Sequence, residues 1–372
     1  HADRRGHQTV TFHGHEHVDL NDPAELAKID SEDVLGAVED LAVQIEEAWR
    51  IGSSASGLPD PTNVDSIVVL GMGGSGVSGD VMQAVVEPRL PIPVRVIKSY
   101  GPLPEWVGRN TLVFAVSYSG STEETVAAME DAHSKGARLV AVSSGGPLAE
   151  MARDFGCTHV AIPSGLQPRA SLGYLTVPIL AVMEKMGFLA GVGDDVTETV
   201  EVIRTLQQSC HRNEPVHRNP AKDLAHRLLH KVAIVYGSHG LTGTAAMRFK
   251  CDLNEYGKVP AFWNQYPELN HNEIVGWTGM TDLSKEHFVI VHLRDTEEHE
   301  RISLRYEITK HLIYQSAAEV VEVKAQGVSP LARVMSLVFI TQLAAIYVGL
   351  QYGVDPGPVE VIQRLKAELA ER

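Results

Sequence analysis

A carboxylate and an imidazole that could move protons lie within one segment of the second half of the chain. Glu255 stands at the end of a helical pattern, and His271 follows a stretch rich in proline, aromatic and amide side chains. Glu suits a general base, and His exchanges its proton near neutral pH. A structural loop filled by aromatic and amide side chains is the alternative. The grouping of both side chains in one segment favours proton-transfer chemistry.

A glycine-rich turn, GMGGSG at 71–76, follows the first predicted strand. It matches the dinucleotide-binding pattern, but that fold requires an acid about 20 residues later. The second predicted strand ends instead in Lys98 and Ser99, and no Gly-Lys-Ser/Thr sequence supports a P-loop. Small residues such as Gly74 and the hydroxyl of Ser75 still let an anion approach the backbone at a helix start. The turn therefore predicts an anion site or, alternatively, a tight turn without a ligand.

A second turn, SYSGSTEE at 117–124, follows the third predicted strand and precedes another helix. Its hydroxyls belong to Ser117, Ser119, Ser121 and Thr122, which are more than one helix cap requires. In an open parallel sheet, the loops after strands one and three meet where the strand order reverses. We expect the two turns to form one cradle for a monophosphate, and helix capping is the alternative for some of these hydroxyls.

Arg169 lies just past the fifth predicted strand, in the sequence QPRASLGY, and adds a guanidinium to this region. A surface salt bridge is the alternative for it. Combined with the phosphate cradle, Glu255 and His271 supply what an aldose–ketose isomerisation requires. That reaction uses a base beside a carbonyl, a donor that opens the sugar ring and a positive group that holds the enediolate oxygen. It requires neither a metal nor an organic cofactor, and the sequence predicts none.

Short β-branched runs, each followed by a turn and a helix, have to position these side chains. Runs without polar alternation are typical of strands in a parallel sheet that helices cover on both faces. The first half has five candidate strands, at 66–71, 94–99, 111–117, 138–144 and 158–164. The second half has three clear ones, at 231–238, 287–294 and 318–325. The sequence thus predicts an α/β protein of two doubly wound units with mainly parallel sheets.

The helical patterns and linkers set the predicted domain boundaries. We expect a flexible tail, an N-terminal helix with its linker, a first α/β unit and a second unit with a bridging helix and C-terminal helices, at 1–21, 22–63, 64–200 and 201–372. The apolar stretch from 331 to 350 is long enough to span a membrane. Arg333 and Gln342 interrupt it, so a helix buried between layers is predicted.

The charge balance and the cysteines narrow the class of protein. The 372 residues include 32 Lys and Arg against 47 Asp and Glu, a net charge of −15, which argues against nucleic acid or an anionic membrane as the partner. Cys157, Cys210 and Cys251 lack metal or redox spacing. An oxidising compartment is not indicated, so a cytoplasmic protein is expected.

Four of these segments together resemble a known family. The turns at 71–76 and 117–124 resemble the sugar isomerase, or SIS, domain. With PRASLGYL at 168–175 and NEYGKVPAF…PELNHNE at 254–273, the chain resembles the bifunctional phosphoglucose/phosphomannose isomerase family over roughly residues 30 to 372. The resemblance implies two SIS (flavodoxin-like) domains and a homodimer with active sites at the subunit interface. It also implies interconversion of glucose 6-phosphate, and of mannose 6-phosphate, with fructose 6-phosphate.

The resemblance further implies a role for each site residue. The phosphate would be held by Gly74, Ser75, Ser117, Ser119 and Thr122. Glu255 would shuttle the proton between C1 and C2, Arg169 would stabilise the enediolate, and His271 would open the ring in the partner subunit's site. Lys366, in the last helix, would assist near the ring oxygen. Two other functions stay open at this point: a non-catalytic sugar-phosphate sensor and an NAD(P)-dependent enzyme.

Overall fold

The five β-branched runs of the first half form one parallel sheet in the computed structural model, which describes residues 17–371. Its strands are β1 (Ser66–Leu70), β2 (Val94–Ile97), β3 (Thr111–Val116), β4 (Arg138–Ser143) and β5 (Thr158–Ala161). Their spatial order is β2-β1-β3-β4-β5, and every pairing is parallel. The predicted strand positions are therefore confirmed, and the order reverses between β1 and β3.

The second half repeats this arrangement with four strands. They are β6 (Val232–Ser238), β7 (Ala261–Tyr266), β8 (Phe288–Arg294) and β9 (Glu319–Lys324), in the parallel order β7-β6-β8-β9. Three of them were predicted. β7 falls in the stretch interpreted as a long loop, and that interpretation was wrong. It is an edge strand, and because Phe262 and Trp263 are exposed on it, it lacks the apolar continuity of the buried strands.

Helices cover both sheets and account for the apolar periodicity between the strands. The α-helices of the first half are α1 (Pro23–Ile29), α2 (Val34–Glu39), α3 (Leu41–Ser53), α4 (Gly73–Val86), α5 (Glu123–Ser134), α6 (Gly146–Phe155) and α7 (Leu172–Lys185). Those that follow are α8 (Val192–Ser209), α9 (Pro220–Arg227), α10 (Leu241–Glu255), α11 (Glu273–Gly276), α12 (Thr281–His287), α13 (Glu300–Ile313), α14 (Pro330–Gln351) and α15 (Glu360–Ala370). Two short 3₁₀ turns, Pro168–Ala170 and Glu268–His271, carry predicted site residues.

The alternation of side chains along β1 shows how each sheet is buried. Ile67 and Val69 join the large core that runs through both halves, whereas Val68 and Leu70 face a separate cluster under α5 and α6. The second sheet is likewise covered on both faces. Two doubly wound α/β units therefore form, each with a parallel sheet between helices, as predicted.

Helix α14 is the centre of the large core. Its residues from Leu331 to Gln351 are buried, which confirms the predicted buried helix. Among residues 17–371 it alone is long and apolar enough to cross a membrane, and 94% of its most apolar window is inside the fold. Its polar side chains make internal contacts: Arg333 pairs with Asp295 at 2.9 Å, and Gln342 donates to the backbone of residue 169.

The N-terminal region differs from the single helix predicted within 22–63. Three helices form instead. Asp30 and Asp33 separate α1 from α2, since Asp33 has a left-handed φ of 48° and the Asp30 carboxylate accepts the amides of Val34 and Leu35. Asp40 lies between α2 and α3. Leu20 is buried in the core, so the packed chain begins before residue 22. The predicted boundary at residue 200 falls inside α8, which packs against both α3 and α14. The remainder of the predicted tail, residues 1–16, lies outside the described residues.

The central place of α14 predicts a large effect of truncating one of its side chains. Phe339 is fully buried there, so Phe339→Ala should lower the free energy of unfolding by about 3–5 kcal/mol. Val43→Ala, on an exposed position of α3, should change it by less than about 0.5 kcal/mol. Guanidinium chloride unfolding followed by circular dichroism measures both. A Phe339→Ala loss as small as that of Val43→Ala would contradict this packing.

Candidate active site

The turns after β1 and β3 touch each other, as the strand order requires. Ser75, in the first turn of α4, is buried, and its Oγ accepts the backbone N–H of Tyr118 at 3.1 Å. This bond joins the glycine-rich turn to the serine-rich one. The two predicted halves of the cradle thus form one surface at the point where the order of the first sheet reverses.

The hydroxyls of the serine-rich turn form hydrogen bonds with one another, and not with the backbone N–H groups at the start of α5. Ser117 Oγ lies 2.8 Å from Thr122 Oγ1 and accepts the amide of Gly120 at 3.1 Å, while Ser119 and Ser121 pair at 3.0 Å. Thr122 is the N-cap residue of α5, but its side chain makes no capping hydrogen bond. Capping therefore does not explain the hydroxyls, which gather at the positive end of a helix dipole.

Gly74 brings a third segment against this cradle. A Cβ built at Gly74 would lie only 2.9 Å from the carbonyl oxygen of Pro168, so a larger side chain would push the 168–170 turn away. The glycine is thus required for close approach, and it places Arg169 beside the glycine-rich turn.

Arg169 is not a surface residue, so the surface salt-bridge alternative is wrong. It is 5% exposed, its Nη1 lies 3.9 Å from Glu255 Oε2, and its guanidinium stacks over the Tyr256 ring at 4.9 Å. Its Nη2 donates to the carbonyls of Pro356, at 3.0 Å, and Gly357. The structure therefore brings together Arg169 and Glu255, which are 86 positions apart in the sequence and belong to different halves of the chain.

Glu255 is the last residue of α10 and faces a cavity of about 720 Å³. Its side chain is 27% exposed. The walls of the cavity come from the 254–260 segment and from the C-terminal segment 354–362, which includes the start of α15. A carboxylate at the wall of a cavity, with a buried guanidinium next to it, can take a proton from a bound molecule while the cation stabilises the negative charge that forms.

Lys258 is a site residue that the sequence reasoning did not identify. It adopts a left-handed φ of 53° and lines the same cavity as Glu255. Its Nζ donates to the backbone carbonyls of Glu255 and, at 3.3 Å, of Pro356. Burial and the neighbouring Arg169 lower the pKa of the Lys258 ammonium. Its position directly after Gly257 at the end of a helix was the available signal.

A buried polar network holds Arg169 in place. Its carbonyl accepts both Gln342 Nε2, at 2.8 Å, and Arg248 Nη2. Arg248 also donates from Nε to Asp252 Oδ2 at 2.9 Å, and both members of this pair are almost fully buried on α10. The network joins the 168–170 turn, α10 and α14, and α10 carries Glu255.

Neither His271 nor Lys366 forms a hydrogen bond or an ion pair with this network among residues 17–371. His271 ends the 3₁₀ turn at 268–271, whose Leu269 packs on one face of the second sheet, whereas Tyr256, next to Glu255, packs on the other. His271 is exposed there. Lys366 is exposed on α15, whose first turn borders the cavity.

The structure does not support a dinucleotide site at the glycine-rich turn. Such a site requires an acidic residue after β2, and a lysine is found there instead. Lys98 follows β2 and forms an ion pair with Asp80 of α4, and its side chain lies 3.1 Å from a Cβ built at Gly76. A ribose therefore lacks its usual carboxylate partner after β2.

Comparisons with known proteins agree with this arrangement. The family model described as SIS domain matches residues 62–177, and the bacterial phospho-glucose isomerase C-terminal SIS domain matches residues 217–369. A glucose-6-phosphate isomerase like protein from Thermus thermophilus shares the fold, with a TM-score of 0.61, 21% identity and coverage of 94% of this chain and 99% of that one. The fold and the two matched family models thus define a double-SIS protein of the phosphosugar isomerase class.

Sequence relatives identify the family within that class. A bifunctional phosphoglucose/phosphomannose isomerase from Caldicellulosiruptor bescii is 41% identical over 90% of this chain and 98% of its own length. A second, from Aquifex aeolicus, is 35% identical over 83% of this chain and 92% of its own length. The chain belongs to the bifunctional phosphoglucose/phosphomannose isomerase family. A D-glucosamine-6-phosphate 4-epimerase from Sulfolobus acidocaldarius is 33% identical over 58% of this chain and 65% of its own length.

The buried Arg248–Asp252 pair predicts a stability effect that a surface pair cannot produce. Arg248→Met leaves a buried carboxylate without its partner and should cost about 3–5 kcal/mol of unfolding free energy. Arg227→Met removes exposed ion pairs with Asp223 and Glu319 and should cost at most about 1 kcal/mol. Denaturant unfolding of the two variants provides the comparison.

The stability loss of Arg248→Met should depend on pH, because the carboxyl group of Asp252 titrates. Burial raises the pKa of Asp252, and Arg248 opposes that shift, so removing Arg248 raises it further. The folded variant then binds the proton more tightly than the unfolded chain, and stability is lost as pH rises above the ordinary Asp value of 3.8. The difference between Arg248→Met and the parent should be larger at about pH 8 than at about pH 5. Equal differences at both pH values would argue against an unpaired carboxylate.

Proposed function

We propose that this protein is an aldose–ketose isomerase that interconverts glucose 6-phosphate and mannose 6-phosphate with fructose 6-phosphate. The observation that carries the proposal is the approach of Arg169 to Glu255 at the wall of a large cavity, with the hydroxyl-lined turns in contact with the Arg169 segment. The names of the relatives from Caldicellulosiruptor bescii and Aquifex aeolicus support the same activity.

The cradle is the proposed phosphate site. Its hydroxyls and the backbone N–H groups at the starts of α4 and α5 offer donors to an anion, and both helices direct their positive ends toward it. The residues proposed to bind the phosphate are Gly74, Ser75, Ser117, Ser119 and Thr122. A phosphate held there fixes the rest of the sugar relative to Arg169, because Gly74 and Pro168 are in close approach.

Glu255 is the proposed base. It takes the proton from C2 of the aldose and returns it to C1, while the Arg169 guanidinium stabilises the negative oxygen of the enediolate. Glucose 6-phosphate and mannose 6-phosphate differ only in configuration at C2, which is planar in this intermediate. Return of a proton to either face of C2 therefore yields either aldose, so one site can serve both substrates.

His271 is proposed to open the sugar ring in the partner subunit's site. The second sheet separates His271 from Glu255 within one chain, which supports a homodimer in which each site takes its base from one subunit and its imidazole from the other. Lys366 is proposed to assist near the ring oxygen, since α15 begins in the wall of the cavity that holds Glu255.

The proposed reaction uses no metal or organic cofactor, since the base, the acid and the cation all come from side chains. We place it in the cytoplasm, where hexose phosphates are metabolised. A non-catalytic sugar-phosphate sensor would need only the cradle. The Glu255–Arg169 pair favours the enzyme because simple binding of a phosphate does not require a carboxylate in the same cavity.

Replacing the proposed base should stop proton transfer without removing phosphate binding. In heavy water the parent should incorporate deuterium at C2 of the aldose, and Glu255→Gln should slow this by a factor of about 10²–10⁴. Glu360→Gln removes another carboxylate that lines the same cavity and is the matched control. NMR of the sugar phosphate measures the exchange. Near-normal exchange by Glu255→Gln would remove Glu255 from the mechanism.

Mixed dimers test whether the site is built from two subunits. Glu255→Gln and His271→Ala homodimers should each be inactive. After subunit exchange at equal concentrations, half of the dimers are mixed, and each mixed dimer contains one site with both intact residues. The mixture should regain about one quarter of the parent's activity. A mixture as inactive as its components would show that both residues act within one chain.

A further inference from the structure

An aldose–ketose isomerisation moves two protons, and Glu255 accounts for only one of them. The proton on C2 leaves and one is added at C1, which is the transfer proposed for Glu255. The proton of the C2 hydroxyl also leaves, and one is added to the oxygen on C1. A group beside these two oxygens that both gives and accepts a proton completes the reaction.

Lys258 is the one titratable nitrogen in the wall of the Glu255 cavity, among the described residues that line it. The other titratable side chains there are the carboxyls of Glu255, Asp355 and Glu360. Asp355 is engaged outside the reaction, since its Oδ2 accepts a hydrogen bond from Ser31 Oγ at 2.5 Å. An ammonium group that gives a proton and then regains it suits a transfer between two sugar oxygens.

The Lys258 ammonium belongs to the same hydrogen-bonded group as the other two charges of the site. Its Nζ donates to the backbone carbonyl of Glu255 and, at 3.3 Å, to that of Pro356. Arg169 Nη2 donates to the same Pro356 oxygen at 3.0 Å. A sugar oxygen that contacts the Arg169 guanidinium therefore lies within reach of the Lys258 amine.

The backbone holds this lysine in a conformation that a purely structural residue does not require. Lys258 has a left-handed φ of 53°, which favours glycine or asparagine at the end of a helix. The turn has other supports, because Val259 N donates to Leu253 O at 3.2 Å and Asn254 Nδ2 donates to Val259 O at 2.9 Å. Backbone strain of this kind persists at functional sites.

The surroundings of Lys258 make its ammonium a better proton donor. Burial and the positive charge of Arg169 lower its pKa, against the opposing effect of the carboxylates of Glu255, Asp355 and Glu32. A lysine whose pKa is lowered toward neutrality exchanges its proton more readily at working pH. The electrostatics thus agree with the position of the side chain.

We propose that Lys258 carries the hydroxyl proton between O1 and O2 of the sugar, while Glu255 carries the carbon-bound proton between C2 and C1. In the first half, Glu255 takes the C2 proton, the C1–C2 double bond forms, and the ammonium protonates O1 as the C1=O bond opens. Arg169 stabilises the negative oxygen until that proton arrives. The inference rests on the proposed function, since it completes that reaction.

The second half restores both side chains. The Lys258 amine takes the proton of the C2 hydroxyl, and the C2=O bond forms. The electron pair of the C1–C2 double bond then takes the proton from Glu255 at C1. The ketose leaves, and the ammonium and the carboxylate are in their starting states.

Lys258→Arg separates proton transfer from charge and hydrogen bonding. Arginine keeps a cation with donors but does not release its proton near neutral pH. Steady-state kinetics should therefore show kcat lower by a factor of about 10²–10⁴, with KM changed by less than about threefold. The matched control is Lys185→Arg, because Lys185 likewise donates to two backbone carbonyls, at the end of α7. It should keep the parent's kcat.

Lys258→Gly tests the same role by chemical rescue. Glycine suits the left-handed backbone, so the variant should keep the parent's melting temperature while losing turnover. Butylamine, which replaces the missing side chain, should raise its rate at least tenfold with saturation. Butyltrimethylammonium, which has the charge but no N–H, should not.

The outcomes distinguish this inference from the proposed function. An active parent whose Lys258→Arg variant has a near-normal kcat would overturn the inference and leave the function intact. So would a Lys258→Gly protein that melts well below the parent and gains nothing from butylamine, because the lysine would then only support the turn. A parent that isomerises no hexose 6-phosphate would overturn both.

Discussion

The carbonyl oxygen of Arg169 is the point on which the proposed site depends. It accepts hydrogen bonds from Gln342 of α14 and from Arg248 of α10, and Arg248 is held in turn by Asp252. Both donors are buried, and leaving a buried donor without an acceptor costs free energy. Their shared acceptor, the Arg169 carbonyl, therefore fixes the turn that holds the Arg169 side chain. The two halves of the protein are therefore joined at a residue that we propose to be catalytic, and not by apolar contact alone.

The hydrogen bonds to the Arg169 carbonyl explain one of the polar residues in the otherwise apolar helix α14. Gln342 and Arg333 lie in the one helix of residues 17–371 that is long and apolar enough to cross a membrane. In the folded chain Gln342 donates to Arg169 and Tyr256, and Arg333 pairs with Asp295. Each of these two polar groups on α14 thus corresponds to a contact between layers, and Gln342 also holds the turn that carries Arg169.

The second sheet imposes the other constraint. Glu255 ends a helix on one of its faces, and His271 follows a strand and sits on the opposite face, so a single chain keeps them apart although they are only 16 positions apart in sequence. Glu255 and His271 are thus close in sequence but lie on opposite faces of the sheet. Arg169 and Glu255, in contrast, are far apart in sequence but lie next to each other in the fold. The proposed site uses all three groups, and we therefore propose that it takes His271 from a second subunit.

Much of the fold could be predicted because buried parallel strands are marked by continuous β-branched runs, as in β1 and β3. β7 could not, since its exposed Phe262 and Trp263 are characteristic of an edge and resemble a loop in sequence. The cradle was predictable from the density of hydroxyls after β3. The burial of Arg169 and the roles of Arg248 and Lys258 were not, because they arise from tertiary contacts between segments that no local pattern connects.

The most direct test of the account is the fate of fructose 6-phosphate labelled with ¹³C at C2. The account predicts that NMR will show the label at C2 of both glucose 6-phosphate and mannose 6-phosphate, with no added metal or nucleotide. Formation of neither aldose by a protein that still binds the sugar phosphate would contradict it. Inversion at C4 instead, in keeping with the name of the relative from Sulfolobus acidocaldarius, would contradict it equally.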